Sequence, residues 1–422
     1  MNNINKLFLS VILAVTILHN NTFHSQWLKQ QAPVVDLLSC VKFINPNTGW
    51  VCSTTDIGND TSFILKTTNG GIDWYKQFFG IGHLMRTVFP VNSSTIYVCG
   101  ININMNPLLL KSTNGGLNWV NKLPPTAPYD LFFFNADSGW YCSQMSSADI
   151  RFTTDGGTTW QQRGSGIVSL VYRLFFMNFN TGWCGGNSFV HKTTNAGINW
   201  TQIGVFNSNV GSVYFYNQNT GWAGLSNGKV AYTSNGGNNW TYQNTPVEGV
   251  TYGITDLQFF DNLRGFAGNK SNKILKTYNG GQTWGYQIDT GYSERISFID
   301  SLTGWSVFWH IRKTTNGGGQ VFYNTGFTPV SNIVPSVFKL YQNYPNPFNP
   351  STTIKLDIAK ASDVSLFFYD MLGRVVYKIT NQYLNAGSHE FVWNADEFCS
   401  GVYYCKIITD GYSDTRKMML LK

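Results

Sequence analysis

Seven positions invite chemistry because they recur. Cys40, Arg86, Asp130, Arg173, Ser212, Asp256 and Arg295 each stand three residues ahead of a phenylalanine that closes a short apolar run. A ring built from them would be polar and partly basic, and arginine suits a carboxylate because its planar guanidinium donates two parallel hydrogen bonds. The plainer reading sets Asp130 between Arg86 and Arg173, and Asp256 beside Arg295, so that the ring neutralises itself. Other chemistry is thinner. Gly224-Leu225-Ser226-Asn227-Gly228 spells the Gly-x-Ser-x-Gly nucleophile pattern, but that elbow needs a following helix and no helical pattern is present. Asp56 and Asp60 share a loop without the spacing of a calcium loop, and the six histidines show no ligand spacing, so neither a metal nor a cofactor is expected. Cys52, Cys99, Cys142 and Cys184 follow a recurrent aromatic and read as small buried thiols. Cys399 and Cys405 leave a local disulfide or two free thiols open.

The elements that position the ring follow from a nonamer. Lys66-Thr67-Thr68-Asn69-Gly70-Gly71-Ile72-Asp73-Trp74 returns as Lys111 to Trp119, Phe152 to Trp160, Lys192 to Trp200, Tyr232 to Trp240 and Lys276 to Trp284, with a degraded copy from Lys313. Thr-Thr suits a strand end, Asn-Gly-Gly accepts positive φ in a hairpin turn, and Trp restarts burial. A second motif precedes each copy, as in Asn47-Thr48-Gly49-Trp50 or Asn180-Thr181-Gly182-Trp183. The aromatics at 50, 97, 140, 183, 222, 266 and 305 lie 39 to 47 residues apart. Seven units of that length, with two hairpins each, predict an all-β, seven-bladed propeller of four-stranded blades. Trp27 lies 23 residues before Trp50, as Trp74 does before Tyr97. The N-terminal strand is therefore expected to supply the tryptophan missing from the last copy and close the ring, the alternative being that residues 320–324 form that strand alone.

The nonamer resembles the Asp-box, or BNR repeat, of sialidases, sortilin-type receptors and some glucan hydrolases. Its pairing with the Thr-Gly-Trp turn is most similar to the photosystem II assembly and stability factor-like propellers, which implies a non-enzymatic binding fold over residues 26–335. A sialidase would need three arginines, which Arg86, Arg173 and Arg295 imitate, with Tyr292 and Glu294 beside them. A glucan hydrolase would need two facing carboxylates such as Asp130 and Asp256.

Residues 1–25, with Lys6 and the apolar run Leu7 to Leu18, match a signal peptide and are too short to span a bilayer comfortably. No later segment reads as transmembrane. The net charge of +7 contains no Lys/Arg run, so no nucleic-acid footprint is expected. After Pro335 the period stops. Tyr344-Pro345-Asn346-Pro347-Phe348-Asn349-Pro350, Tyr369-Asp370-Met371-Leu372-Gly373-Arg374 and Ser400-Gly401-Val402-Tyr403 lie among alternating runs that predict a small β-sandwich over 336–422. This tail resembles the type A sorting domain of the type IX secretion system of Bacteroidetes-like bacteria. The resemblance implies passage through that machinery to the cell surface or medium.

The sequence reading is thus an exported propeller that binds a surface protein or glycan, with Arg86, Asp130, Arg173, Asp256 and Arg295 as candidate ligand residues at the channel mouth. The alternative is a secreted glycoside hydrolase.

Overall fold

The computed structural model describes residues 26–33, 37–54, 61–81, 83–143, 149–249, 253–288, 292–319, 321–323, 327–331, 333–395 and 398–422. Residues 1–25, expected to be a signal peptide, and Asp56, Asp60 and residue 320 lie outside these. Seven antiparallel blades are followed by a β-sandwich of two four-stranded sheets, with no helix among the described residues. The first blade runs outward from Leu38–Phe43 through Gly49–Ser53 and Thr61–Thr67 to Tyr75–Ile81. Later blades begin at the inner strands Leu84–Pro90, Pro128–Phe133, Val171–Phe176, Val210–Phe215, Ile254–Phe259 and Arg295–Phe298.

Each unit's two motifs build this pattern locally. An Asn or Asp closes the first hairpin: the Asn45 side-chain oxygen accepts the amides of Asn47 and Thr48 at 2.9 and 2.8 Å. The next glycine leaves room for an aromatic ring, since a Cβ on Gly221 would lie 2.4 Å from the Phe215 ring. Phe215 in turn stacks on Trp183 of the preceding blade, centroids 4.0 Å apart, and takes the edge of its own blade's Trp240 at 6.1 Å. Phe43 repeats this with Trp305 and Trp74, and Phe259 with Trp222 and Trp284. Such aromatic pairs contribute about 0.5–1.5 kcal/mol each beyond burial, so the recurrent Trp and Phe positions hold the blades to one another.

The nonamer is a folded loop rather than a minimal turn. Thr67 Oγ1 accepts the Gly71 amide and Asn69 Oδ1 the Asp73 amide, both at 2.9 Å, with Gly70 and Gly71 at φ 72° and 94°. The Gly70 amide donates to the Asn47 carbonyl at 2.8 Å, and the equivalent bond recurs in every unit. That bond explains why the two motifs travel as a pair. Lys66 lies over the Trp50 ring at 5.2 Å and donates to the Gly115 carbonyl of the next blade's loop at 2.8 Å; Lys276 does the same with Phe266 and Gly317.

Ala196 holds φ 57° where the other copies have glycine. Ala196→Gly is expected to stabilise by about 1 kcal/mol by relieving that strain, and an unchanged or lower melting midpoint would contradict it. Asp155 alone fills the column that is otherwise Asn69, Asn114, Asn195, Asn235, Asn279 and Asn316. Hydrogen bonds from the Thr159 hydroxyl and amide hold its carboxyl down at about 2, against 3.8 ordinarily. A folded value below the unfolded one gives stability that is present above 3.8 and lost as pH falls from there through 2. Asp155→Asn is therefore expected to lose less stability over that window, read from urea midpoints; an equal loss in both proteins would refute this.

The ring closes with both ends of the propeller. Leu28–Lys29 pairs with Ile311–Thr314 to complete the seventh blade. Trp27 is 2% exposed, meets Phe298 edge-on at 5.6 Å and donates from Nε1 to Gln287 Oε1 at 3.2 Å. It occupies the box-tryptophan role. Phe322–Tyr323 instead adds a fifth strand to the sixth blade, pairing Tyr286 with Phe322.

The sandwich begins ahead of the expected boundary at 336, because Phe327–Ser331 pairs with Gly387–Asn394. Its core joins Leu356, Leu366, Phe368, Trp393 and Ile407. The Tyr-Asp-x-x-Gly-Arg stretch is a hairpin turn: Asp370 Oδ1 accepts the amides of Leu372 and Arg374, and Arg374 Nε meets Asp370 Oδ2 at 2.7 Å. Tyr383 stacks on Tyr278 at 5.4 Å, and Asn385 donates to the Val321 carbonyl at 2.8 Å, joining sandwich to propeller.

Candidate functional site

The seven inner strands converge on a cavity of about 320 Å3. Six of them carry a β-bulge near the start, and the residue after each bulge lines the cavity: Cys40, Thr87, Asp130, Arg173, Ser212 and Asp256, with Arg295 in the seventh. Thr87 replaces the expected Arg86. Thr87 pairs with Cys99 as Asp130 pairs with Cys142, because Pro90, not Phe89, holds the column of Phe133. Arg86 is the bulged residue, its guanidinium 4.6 Å over the Tyr129 ring. Arg173 approaches the same ring at 5.3 Å.

The expected self-neutralisation is not made through ion pairs. Among the described residues the ion pairs lie elsewhere. An inner strand is the edge of its sheet, and its outward backbone groups need partners. Side chains of the preceding blade supply them. Asp130 Oδ2 accepts the Leu174 amide at 3.0 Å while Oδ1 accepts the Thr87 hydroxyl at 3.2 Å. Asp256 accepts the amides of Leu257 and Ile296, both at 3.1 Å. Gln258 bonds both backbone groups of Phe298, and Ser297 Oγ accepts the Phe43 amide at 3.0 Å.

What remains is cationic. Arg173 donates from Nη1 to the Tyr172 carbonyl at 2.7 Å and Arg295 to the Thr255 carbonyl at 3.2 Å, but the buried Nε of each has no partner among the described residues. Lys42 also lines the cavity, without a hydrogen bond or ion pair among the described residues. Burial opposes the Lys42 charge, yet Asp256, Cys40 and Asp130 together outweigh it and the ammonium titrates above its ordinary value. Burial raises the Asp256 carboxyl, against the pull of Lys42 and Arg173. In the same column as Lys42, on the second to fifth blades, Phe89, Phe132, Phe175 and Tyr214 form an aromatic arc, with Phe89 and Phe132 5.5 Å apart and Phe175 and Tyr214 5.1 Å apart. The cavity thus offers N–H donors to an anion and an aromatic wall to whatever carries it.

The other candidates fall away from this centre. Glu294 pairs with Lys270 at 3.3 Å, and Tyr292 is exposed against Phe308. Ser226 shares a hydrogen bond with Ser208 at 2.7 Å. Cys40, Cys52, Cys99, Cys142 and Cys184 are buried free thiols. Cys405 is free and buried, its thiol pushed up to about 12, while Cys399 is free and exposed. Lys42 was missed by sequence reasoning, although it interrupts an otherwise largely aromatic column. The Pro90 and Ile96 pair, replacing Phe and Gly, would have corrected Arg86 to Thr87.

Residues 342–421 match the family model for the secretion system C-terminal sorting domain. A tail of this kind indicates export and a cell-surface or secreted location. No curated protein matches the chain. Among solved structures, YCF48 from Cyanidioschyzon merolae is similar at 18% identity and TM-score 0.56, over 68% of this chain and 98% of that one. YCF48 bound to D1 peptide is similar at 18% identity and TM-score 0.55, over 69% and 98%. The extracellular domain of the putative one component system BT4673 from B. thetaiotaomicron is similar at 13% identity and TM-score 0.53, over 94% of this chain and 54% of that one. These likenesses support the propeller fold.

Proposed function

We propose that the chain is an exported binding module, delivered by the type IX machinery through its C-terminal domain, whose partner seats a carboxylate in the central cavity against Lys42, Arg173 and Arg295. The observation that carries this is that the buried Nε donors of Arg173 and Arg295 and the Lys42 ammonium line one cavity without a hydrogen-bond partner among the described residues. An unmade hydrogen bond to a buried charged group costs more than the roughly 1–3 kcal/mol of a neutral one, so a ligand that makes it gains affinity. The aromatic arc favours a carboxylate carried on an apolar or sugar-ring body. Both a surface protein and an acidic glycan present that group, and the peptide-bound YCF48 makes acidic peptides a natural first probe.

The same geometry speaks against hydrolysis. Each oxygen of Asp130 and Asp256 accepts a hydrogen bond from the fold, a structural role that accounts for both carboxyls without the acid and nucleophile of a glycosidase. The test is a screen of the full chain against acidic peptides, acidic oligosaccharides and chromogenic glycosides. Lys42→Gln with Arg295→Gln is expected to weaken carboxylate binding by at least about tenfold. Equal affinity in the double variant would remove the cavity from the account. Glycoside turnover abolished by Asp256→Asn would put a hydrolase in its place.

A further inference from the structure

Between the fifth and sixth blades lies a second cleft, of about 800 Å3, closed on one side by Gln382 of the sandwich. It is unlike the central cavity in one respect: among the described residues no Asp, Glu, Lys, Arg or His lines it. Its polarity comes from carboxamides and hydroxyls. Gln243 is structural there, donating to the Gly280 carbonyl at 2.8 Å and accepting from Trp284 Nε1 at 3.1 Å. The side-chain amides of Asn244, Asn262 and Gln282 make no protein hydrogen bond among the described residues, and all three are exposed. Each carries two donors and an acceptor. Beside them lies the half-buried Tyr232 ring, tilted against Trp222 with centroids 5.6 Å apart, whereas the Tyr242 ring turns to the fourth blade, 6.4 Å from Phe206 and under Lys229.

We infer that this cleft is a binding site for a neutral oligosaccharide, independent of the central cavity. A charged ligand would find no counter-charge there. An apolar one would strip water from three carboxamides and return no hydrogen bonds, a loss of roughly 1–3 kcal/mol per group. A sugar meets both halves of the surface, since its vicinal hydroxyls pair with a carboxamide's donor and acceptor while its C–H face lies on an aromatic ring. A peptide is the competing occupant, because Thr241–Gln243 is an outer strand with a free edge. That edge is three residues long, too short for the main-chain ladder on which strand addition depends. Because Gln382 belongs to the sandwich, the complete site exists only while the sandwich is attached.

The test uses the full chain, titrated by calorimetry with malto-, cello-, laminari- and mannohexaose, with oligogalacturonate as the charged control, and with a neutral polar peptide library. At least one neutral hexaose is expected to bind with a dissociation constant of about 0.1 to 1 mM. Asn262→Ala with Gln282→Ala should weaken it at least about tenfold without moving the melting midpoint, since both side chains are exposed and unpartnered. Tyr232→Leu, which removes the aromatic ring of the cleft, should weaken it separately. Lys42→Gln with Arg295→Gln should leave it unchanged. Absence of neutral-sugar binding at millimolar concentration, binding indifferent to the cleft variants, or peptide binding lost in those variants without sugar binding would each overturn the inference.

Discussion

Trp27→Ala is expected to destabilise the propeller by about 3 to 5 kcal/mol, the cost of removing a fully buried large aromatic. The residue lies outside the seven inner-to-outer runs of the chain, near the N-terminal end of the described residues, where substitutions are ordinarily tolerated. Here it fills the core position of the seventh blade, against Phe298 and Gln287. Deleting residues 26–32 should cost more. It removes Leu28–Lys29 from Ile311–Thr314 and exposes that strand's edge. With a shift of roughly 2–4 °C per kcal/mol, the alanine variant should melt about 6 to 20 °C below wild type. A propeller transition within about 2 °C of wild type would mean that Phe322–Tyr323 or another segment closes the ring.

Gly221→Val should cost about 3 kcal/mol, the upper part of the range for overpacking. The new Cβ would lie 2.4 Å from the Phe215 ring. That ring cannot move aside, held flat on Trp183 at 4.0 Å and edge-on by Trp240 at 6.1 Å. A valine at an exposed turn glycine would cost far less, so the size of the loss distinguishes an interblade role from a turn role. The second blade shows the natural alternative: Pro90 in place of the phenylalanine lets Ile96 replace the glycine. A melting midpoint within about 2 °C of wild type would contradict the interlocked-ring account.

The architecture was legible because its information is local and repeated. A Gly beneath a Phe, a Trp on each side of it and a turn Asn recur seven times with few exceptions, and the period alone fixes blade number. Even the closure by Trp27 could be read from spacing. The candidate site was only half legible. Counting back three residues from a phenylalanine found Asp130, Arg173, Asp256 and Arg295, but placed Arg86 where Thr87 lies, since Pro90 shifts the pairing by one. Roles were harder than positions. Opposite charges in neighbouring units suggested ion pairs, whereas the inner strands' unpaired amides claim Asp130 and Asp256. That competition between an edge strand's backbone and a neighbouring charge is decided by distances no sequence states. Lys42 escaped for a related reason: its column is mostly aromatic, and only the closed ring brings it within electrostatic reach of Asp256. The Asn244, Asn262 and Gln282 cleft depends on where the sandwich sits and has no local signature.

The measurement that bears most directly on the central claim is a crystal structure of the full chain with the tightest acidic ligand from the screen. The account predicts the ligand's carboxylate within hydrogen-bonding distance of Lys42 and of Nε of Arg173 or Arg295, its body against Phe132 and Phe175, and the ligand intact. A carboxylate bound elsewhere on the propeller, or a cleaved ligand in the cavity, would contradict it.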